Sequence, residues 1–262
     1  MTDPEKQSTY SGGASSGATD EFLDLAGHEL RSPITALKGH VQLLQRRLRR
    51  QSGRENDLTD LDKVMFQVER LTHELDVYLE AVHIARGQFE LMPASCDLVA
   101  ITERLVELYA RGVVSHSVHL ETAERELAGQ WDRQRLQTTV ASLLSNAVKF
   151  SRGGEVVLRL TREGSYARLE IADRGIGVPP ADRQRIFAAY TRGSNAENAG
   201  AGLGLYVCRE VVRRSKGRIG VRGHHGGGSV FWFTLPLDAT SYRSSSASAG
   251  SRRRPRNIGT SC

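Results

Sequence analysis

The sequence predicts an α+β chain: an N-terminal antiparallel hairpin of two long helices, followed by a mixed α/β sandwich. Three observations carry this. Apolar residues recur at steps of three and four from about 19 to 50 and again from about 58 to 82. After Gly87 several short stretches alternate apolar and polar residues, as half-buried strands do. Most of those strands are joined in pairs by tight turns, which favours a sandwich over a doubly wound parallel sheet.

Composition bounds the class. The chain has 262 residues and 28.8 kDa, enough for one large domain or two small ones. With 39% hydrophobic and 25% charged residues it is not a wholly disordered chain. No run approaches the roughly 18 apolar residues of a membrane span, so none is expected. The start, MTDPEKQSTYSGG, has no apolar core and does not read as a secretory signal. Cys96, Cys208 and Cys262 are odd in number and far apart, so neither a disulfide framework nor a zinc site is expected, and a cytoplasmic location is. The net charge of +6 is concentrated at one end. Residues 239–262 hold Arg243, Arg252, Arg253, Arg254 and Arg256 and no acid. The rest is nearly neutral, and no nucleic-acid partner is expected.

Residues 1–19 are rich in Ser, Gly and Thr and 239–262 in Ser and Arg, and both are predicted to be disordered. The first helix carries Leu23, Ala26, Leu30, Ile34, Leu37, Val41, Leu44 and Leu48 along one seam. QSGREND breaks it, and the second helix repeats the seam with Leu58, Leu61, Met65, Val68, Leu71, Leu75, Leu79 and Val82. A lone hairpin would leave that seam wet, so 20–87 is predicted to dimerise into a four-helix bundle. Within 88–238 the reading is as follows. Asp97 caps a helix that runs to Arg111, strands lie at 117–121 and 127–131, and a helix spans Asp132–Phe150. Strands at 155–161 and 166–173 form a hairpin, a helix covers Leu203–Ser215, and RIGVR pairs with SVFWFTL.

Three places carry chemistry. His28-Glu29 lies on the first helix with His28 turned away from the Leu30 seam. An exposed neutral imidazole beside a carboxylate suits a nucleophile with a proton acceptor, and Pro33 loosens the helix nearby. Asn146 is a polar residue amid the apolar face of Leu143, Leu144 and Ala147; a satisfied core amide and a metal ligand both fit. Two glycine-rich loops, Asp173-Arg174-Gly175-Ile176-Gly177 and Gly200-Ala201-Gly202-Leu203-Gly204, lie after a strand and before a helix. There the backbone can approach a nucleotide and free N–H groups can meet phosphate. Neither loop fits the P-loop or the dinucleotide-binding pattern.

In this order, five blocks resemble the transmitter core of two-component sensor histidine kinases. HELRSPITALKGHVQLL resembles the H box, LLSNAVKFS the N box, DRGIGVP the G1 box, IFAAYTRG the F box and GAGLGLYVCREVV the G2 box. The resemblance covers about residues 20–237. It implies a phosphoacceptor and dimerisation hairpin followed by an ATP-binding sandwich of the gyrase, Hsp90 and histidine-kinase type. By position it implies that His28 is phosphorylated with Glu29 as its acid–base partner, and that Asn146 binds Mg²⁺. Lys149 would meet the phosphates and Phe150 sit near the nucleotide. Asp173 would take the adenine amino group, with Gly175 and Gly177 shaping its loop. Phe187 and Arg192 would belong to a mobile lid, and Gly202 and Gly204 would lie against the phosphates.

Two positions depart from the pattern. Ser142 stands where the N box usually has a first asparagine. Ser32 stands where Thr or Asn usually serves the phosphatase reaction. The expectation is an ATP·Mg²⁺-dependent histidine autokinase that passes its phosphoryl group to an aspartate of a response-regulator receiver domain. Its signal would come through an upstream sensor or partner. The alternatives are a gyrase-type hydrolysing clamp, which needs a glutamate where Ser142 stands, and a dimeric scaffold that binds nucleotide or regulator without turnover.

Overall fold

The structure is a computed structural model, and it describes residues 34–35, 37–39, 41–46, 55–112, 116–151, 153–191, 193–195, 201–238 and 256–257. His28, Glu29, Ser32, Arg192, residues 1–19 and most of the arginine-rich tail lie outside them.

Helical residues between 34 and 46 (α1) precede the 31-residue α2 (Glu55–Ala85). Two links join them: Lys38 pairs with Glu69, and Gln45 Nε2 donates to Asp62 Oδ1 at 2.8 Å. As the first partner moves forward the second moves back, so the two stretches run antiparallel. The predicted seam is partly open in the single chain: Val41, Met65, Val68 and Leu79 are buried, and other seam residues are exposed. Leu37 is 50% exposed, Leu44 48% and Leu71 54%.

α2 has a second apolar face that the heptad reading did not separate from the first. Phe66 meets Tyr109 edge to face with ring centroids 5.0 Å apart. Val77, Ala81 and Ile84 pack on Leu203, Val207 and Val211. This face docks α2 on the sandwich.

The sandwich is built on a six-stranded sheet of order β6-β7-β5-β4-β2-β8. Its members are β2 (His116–Thr122), β4 (Gly154–Glu163), β5 (Tyr166–Ala172), β6 (Arg218–Gly223), β7 (Ser229–Pro236) and β8 (Arg256–Asn257). Each alternating strand buries one side. Val156, Leu158 and Leu160 of β4 and Ala167, Leu169 and Ile171 of β5 are fully buried, while Arg159, Arg168 and Glu170 lie on the other face. The buried face is covered by α3 (Leu98–Gly112), α4 (Arg133–Phe150) and α5 (Gly204–Arg214). The expected hairpins are present as β4–β5 and β6–β7. β2, however, pairs with β4 in parallel, reached by a crossover through α4. A short strand, β1 (Ala94–Asp97), was not foreseen; it pairs with β3 (Ala128–Trp131) in a separate two-stranded sheet. Asp97 caps α3 through Val99 N at 3.0 Å, and Asp132 caps α4 through Arg135 N at 3.2 Å.

The connection from α2 to β1 is clamped. Phe89 is fully buried between two guanidinium groups, with Arg135 4.0 Å and Arg214 4.9 Å from its ring centroid. Arg135 also pairs with the buried Glu80 of α2 at 3.2 Å. Phe89→Ala is expected to cost about 3–5 kcal/mol, because it opens a cavity and strips both cations of their ring contact. Denaturant unfolding of the purified variant checks this, and a cost near zero would mean the linker is not held here.

Candidate functional site

A cavity of about 600 Å³ opens where four pieces of chain converge: the end of α4, the loop after β5, the residues around 191–195, and the start of α5. The C-terminal turns of α4 aim Asn146 and Lys149 at it, with Phe150 at the rim. Lys149 Nζ sits 5.5 Å from the Phe150 ring centroid.

Asp173 directly follows β5 and is 3% exposed, yet it lines the cavity. Its Oδ1 accepts from Gly175 N at 2.7 Å and Ser229 N at 3.3 Å. Oδ2 makes no hydrogen bond among the described residues, so its lone pairs are open to a ligand's donor. Burial pushes the carboxyl pKa up, opposed by those two N–H groups. The site therefore holds a buried acceptor of fixed direction inside a largely apolar pocket, which suits recognition of an exocyclic amino group.

The glycines have separable roles. A Cβ on Gly175 would stand 2.2 Å from the Phe150 carbonyl oxygen and 2.9 Å from Asp173 Oδ1, so the loop closes against α4 only if residue 175 has no side chain. Gly175 works from behind and does not line the cavity. Gly177 and Gly202 take φ of +71°, and a Cβ on Gly202 would come within 2.8 Å of Thr191 O. Gly204 has ordinary space: its Cβ would be 3.7 Å from Ser142 Oγ. Its value lies in position, because it opens α5, whose start has no side-chain cap. The first N–H groups of α5 are thus open to an anion. Residues 194 and 195 are tied to the segment that follows β5: Asn195 Nδ2 donates to Gly177 O at 3.1 Å, and Asp182 accepts from Ser194 N and Oγ at 2.7 Å each.

Asn146, Lys149, Phe150, Asp173, Gly177, Gly202 and Gly204 are thus brought together from four blocks of sequence. Phe187 is buried in the core beside them and is not part of the lining. The sequence reading missed the contribution of α2 and α3. Phe66, Arg70, His73 and Tyr109 also line the cavity, and His73 Nε2 lies 3.0 Å from Ser142 Oγ. The only signal for this was the second apolar face of α2, hidden beside the seam.

Among the described residues no three His, Cys, Asp or Glu side chains cluster as a metal site. A single amide oxygen at Asn146, in the same cavity as the uncapped start of α5, fits a divalent ion that would arrive with a ligand's phosphates, since Mg²⁺ needs few protein ligands there. Among the described residues no helix is long and apolar enough to cross a membrane.

Residues 131–239 match the family described as Histidine kinase-, DNA gyrase B-, and HSP90-like ATPase. The alginate biosynthesis sensor protein KinB of Pseudomonas aeruginosa is 33% identical over 221 residues, 83% of this chain and 37% of that protein. The sensor histidine kinase AruS of the same organism is 32% identical over 254 residues, 91% of this chain and 24% of that protein. The chain therefore spans well under half of these relatives. Among solved structures, full-length ShkA in complex with AMPPNP has a TM-score of 0.57 at 26% identity, covering 83% of this chain and 46% of that one. With the cavity and these likenesses in agreement, the chain carries an ATPase domain of the histidine kinase, DNA gyrase B and HSP90 type, and the relatives it resembles over most of its length are sensor histidine kinases.

Proposed function

We propose that this chain is the kinase core of a two-component sensor: an ATP-dependent histidine autokinase that phosphorylates His28 and hands the phosphoryl group to a receiver-domain aspartate. The observation that carries the nucleotide reading is Asp173, a buried acceptor aimed into a cavity whose far side is the uncapped start of α5. ATP·Mg²⁺, when bound, supplies the γ-phosphoryl group and part of the charge that offsets its oxygens. Asp173 accepts from the adenine amino group, and Phe150 borders the nucleotide. Gly202 and Gly204 let the backbone approach the phosphates, Lys149 and Arg192 add positive charge, and Asn146 offers its amide oxygen to Mg²⁺. The His28 imidazole forms the N–P bond as the bond to ADP breaks, and Glu29 takes the proton from its other nitrogen.

The open seam at Leu37, Leu44 and Leu71 supports a homodimer in which two hairpins (20–87) form a four-helix bundle beside two catalytic domains (88–238). The partners proposed are a response regulator and an upstream sensor, and the compartment proposed is the cytoplasm. Labelling with γ-³²P-ATP tests the reading. Acid-labile, alkali-stable label on the chain is expected. Phosphate release without label would replace the reading with a hydrolysing clamp, and neither label nor release would leave a binding scaffold.

A further inference from the structure

One wall of the cavity comes from outside the ATPase domain. α2 presents Arg70, His73, Glu74 and Val77 to it while docked on α3, α4 and α5. His73 reaches the middle of α4: Nε2 lies 3.0 Å from Ser142 Oγ, across 69 residues of sequence. Ser142 is 4% exposed, one helical turn before Asn146, and it borders Gly204 at the start of α5. The contact therefore stands at the phosphate end of the cavity. A serine hydroxyl rotates freely, and a buried one needs a partner to hold a direction. Here the partner is the His73 imidazole from α2.

We propose that His73 is a positioning residue of the nucleotide site, holding its phosphate end through Ser142, so that nucleotide affinity depends on α2 staying docked. The inference rests on the nucleotide reading of the cavity and deepens it: the hairpin that carries the phosphoacceptor also completes the ATP pocket. Undocking α2 removes a wall and frees the Ser142 hydroxyl in one step.

The imidazole makes this docking sensitive to acid. Burial lowers the His73 pKa from 6.5 to about 4, with the nearby Asp76 acting in the opposite sense. Arg70 and Glu74 are the other charged groups of α2 on the cavity. Tyr109 of α3 and Lys149 of α4 line the same cavity. On its other side His73 borders a second, polar cleft with Arg104 and Glu107 of α3 and Arg133 of α4. Docked, His73 excludes the proton; undocked, it takes it up with its ordinary pKa. Docking is therefore at full strength above pH 6.5 and is lost progressively as pH falls toward 4. By pH 5.5 the docking equilibrium moves by about tenfold.

The test uses the full chain and displacement of trinitrophenyl-ATP by ADP, read from pH 7.5 to 5.5. His73→Leu keeps the packing and removes the hydrogen bond, and about fivefold weaker binding is expected at pH 7.5. Ser142→Ala should lose about as much, and the double variant little more, because both remove one contact. His73→Gln keeps a polar partner that does not titrate. Its affinity should stay near wild type at pH 7.5 and fall less than wild type by pH 5.5, with the nucleotide's own titration common to both. Equal affinity in wild type and His73→Leu, or the same acid loss in wild type and His73→Gln, would overturn the proposal. The label on His28 is scored in parallel. Normal label with no His73 effect sinks only this inference, and absent label with the His73 effect intact sinks only the kinase reading.

Discussion

His28→Gln is expected to abolish acid-labile label altogether while ADP affinity stays within about twofold of wild type. The separation follows from where the pocket is built. Among the described residues its lining begins at Phe66 and ends at Phe231, and includes none of those between 34 and 46. On the proposed reading the acceptor is none of these lining residues, so replacing it removes the nucleophile and leaves the described lining of the cavity unchanged. Glutamine keeps length and polarity but its amide nitrogen is not a nucleophile, so no smaller residual rate is expected from the same position. The measurement is label after acid and alkali washes together with nucleotide displacement on the same preparation. Surviving acid-labile label would move the acceptor to another histidine.

Asp173→Asn is expected to give the opposite pattern: nucleotide affinity falls at least about 100-fold, and label disappears with it. The substitution is close to isosteric. An asparagine Oδ1 can still accept from Gly175 N and Ser229 N, so the loop keeps its shape. What changes is the other end of the group. An –NH₂ replaces the free carboxylate oxygen, and a donor then faces the donor on adenine. Stability should move little, and upward if at all. The Asp173 pKa is raised in the folded chain, so the folded state holds more protons than the unfolded one just above the ordinary carboxylate range. Stability drops as pH rises through that window and stays lower at neutral pH. The amide has no such loss. Unchanged ATP binding in Asp173→Asn would remove adenine recognition from this residue.

Much of the site was legible because each piece is local. Asp173-Arg174-Gly175-Ile176-Gly177 and Gly202-Leu203-Gly204 announce backbone that must turn tightly or approach a ligand, and both fall at element ends beside the cavity. The polar Asn146 inside an apolar helical face was visible for the same reason. Even so, the glycines look alike in sequence and differ in cause. Gly175 is required by the Phe150 carbonyl of another element, whereas Gly204 meets no obstruction.

The sequence by itself determined the helices, the buried face of the longer strands and the β4–β5 and β6–β7 hairpins. Periods of 3.6 and 2 report local backbone geometry, and short turns leave a strand little choice of neighbour. Tertiary structure alone decided three things. The parallel pairing of β2 with β4 joins strands with a whole helix between them, and no local pattern encodes that choice. The pairing of β1 with β3 involves four-residue strands too short to show a period. The docking of α2 is the third: Phe66, Val77 and Ile84 are interleaved with the seam residues, so one helix carries two apolar faces. A helical period shows that a residue is buried but not against what. Only the packed chain could bring His73 to Ser142, because that contact spans 69 residues and exists in neither helix by itself.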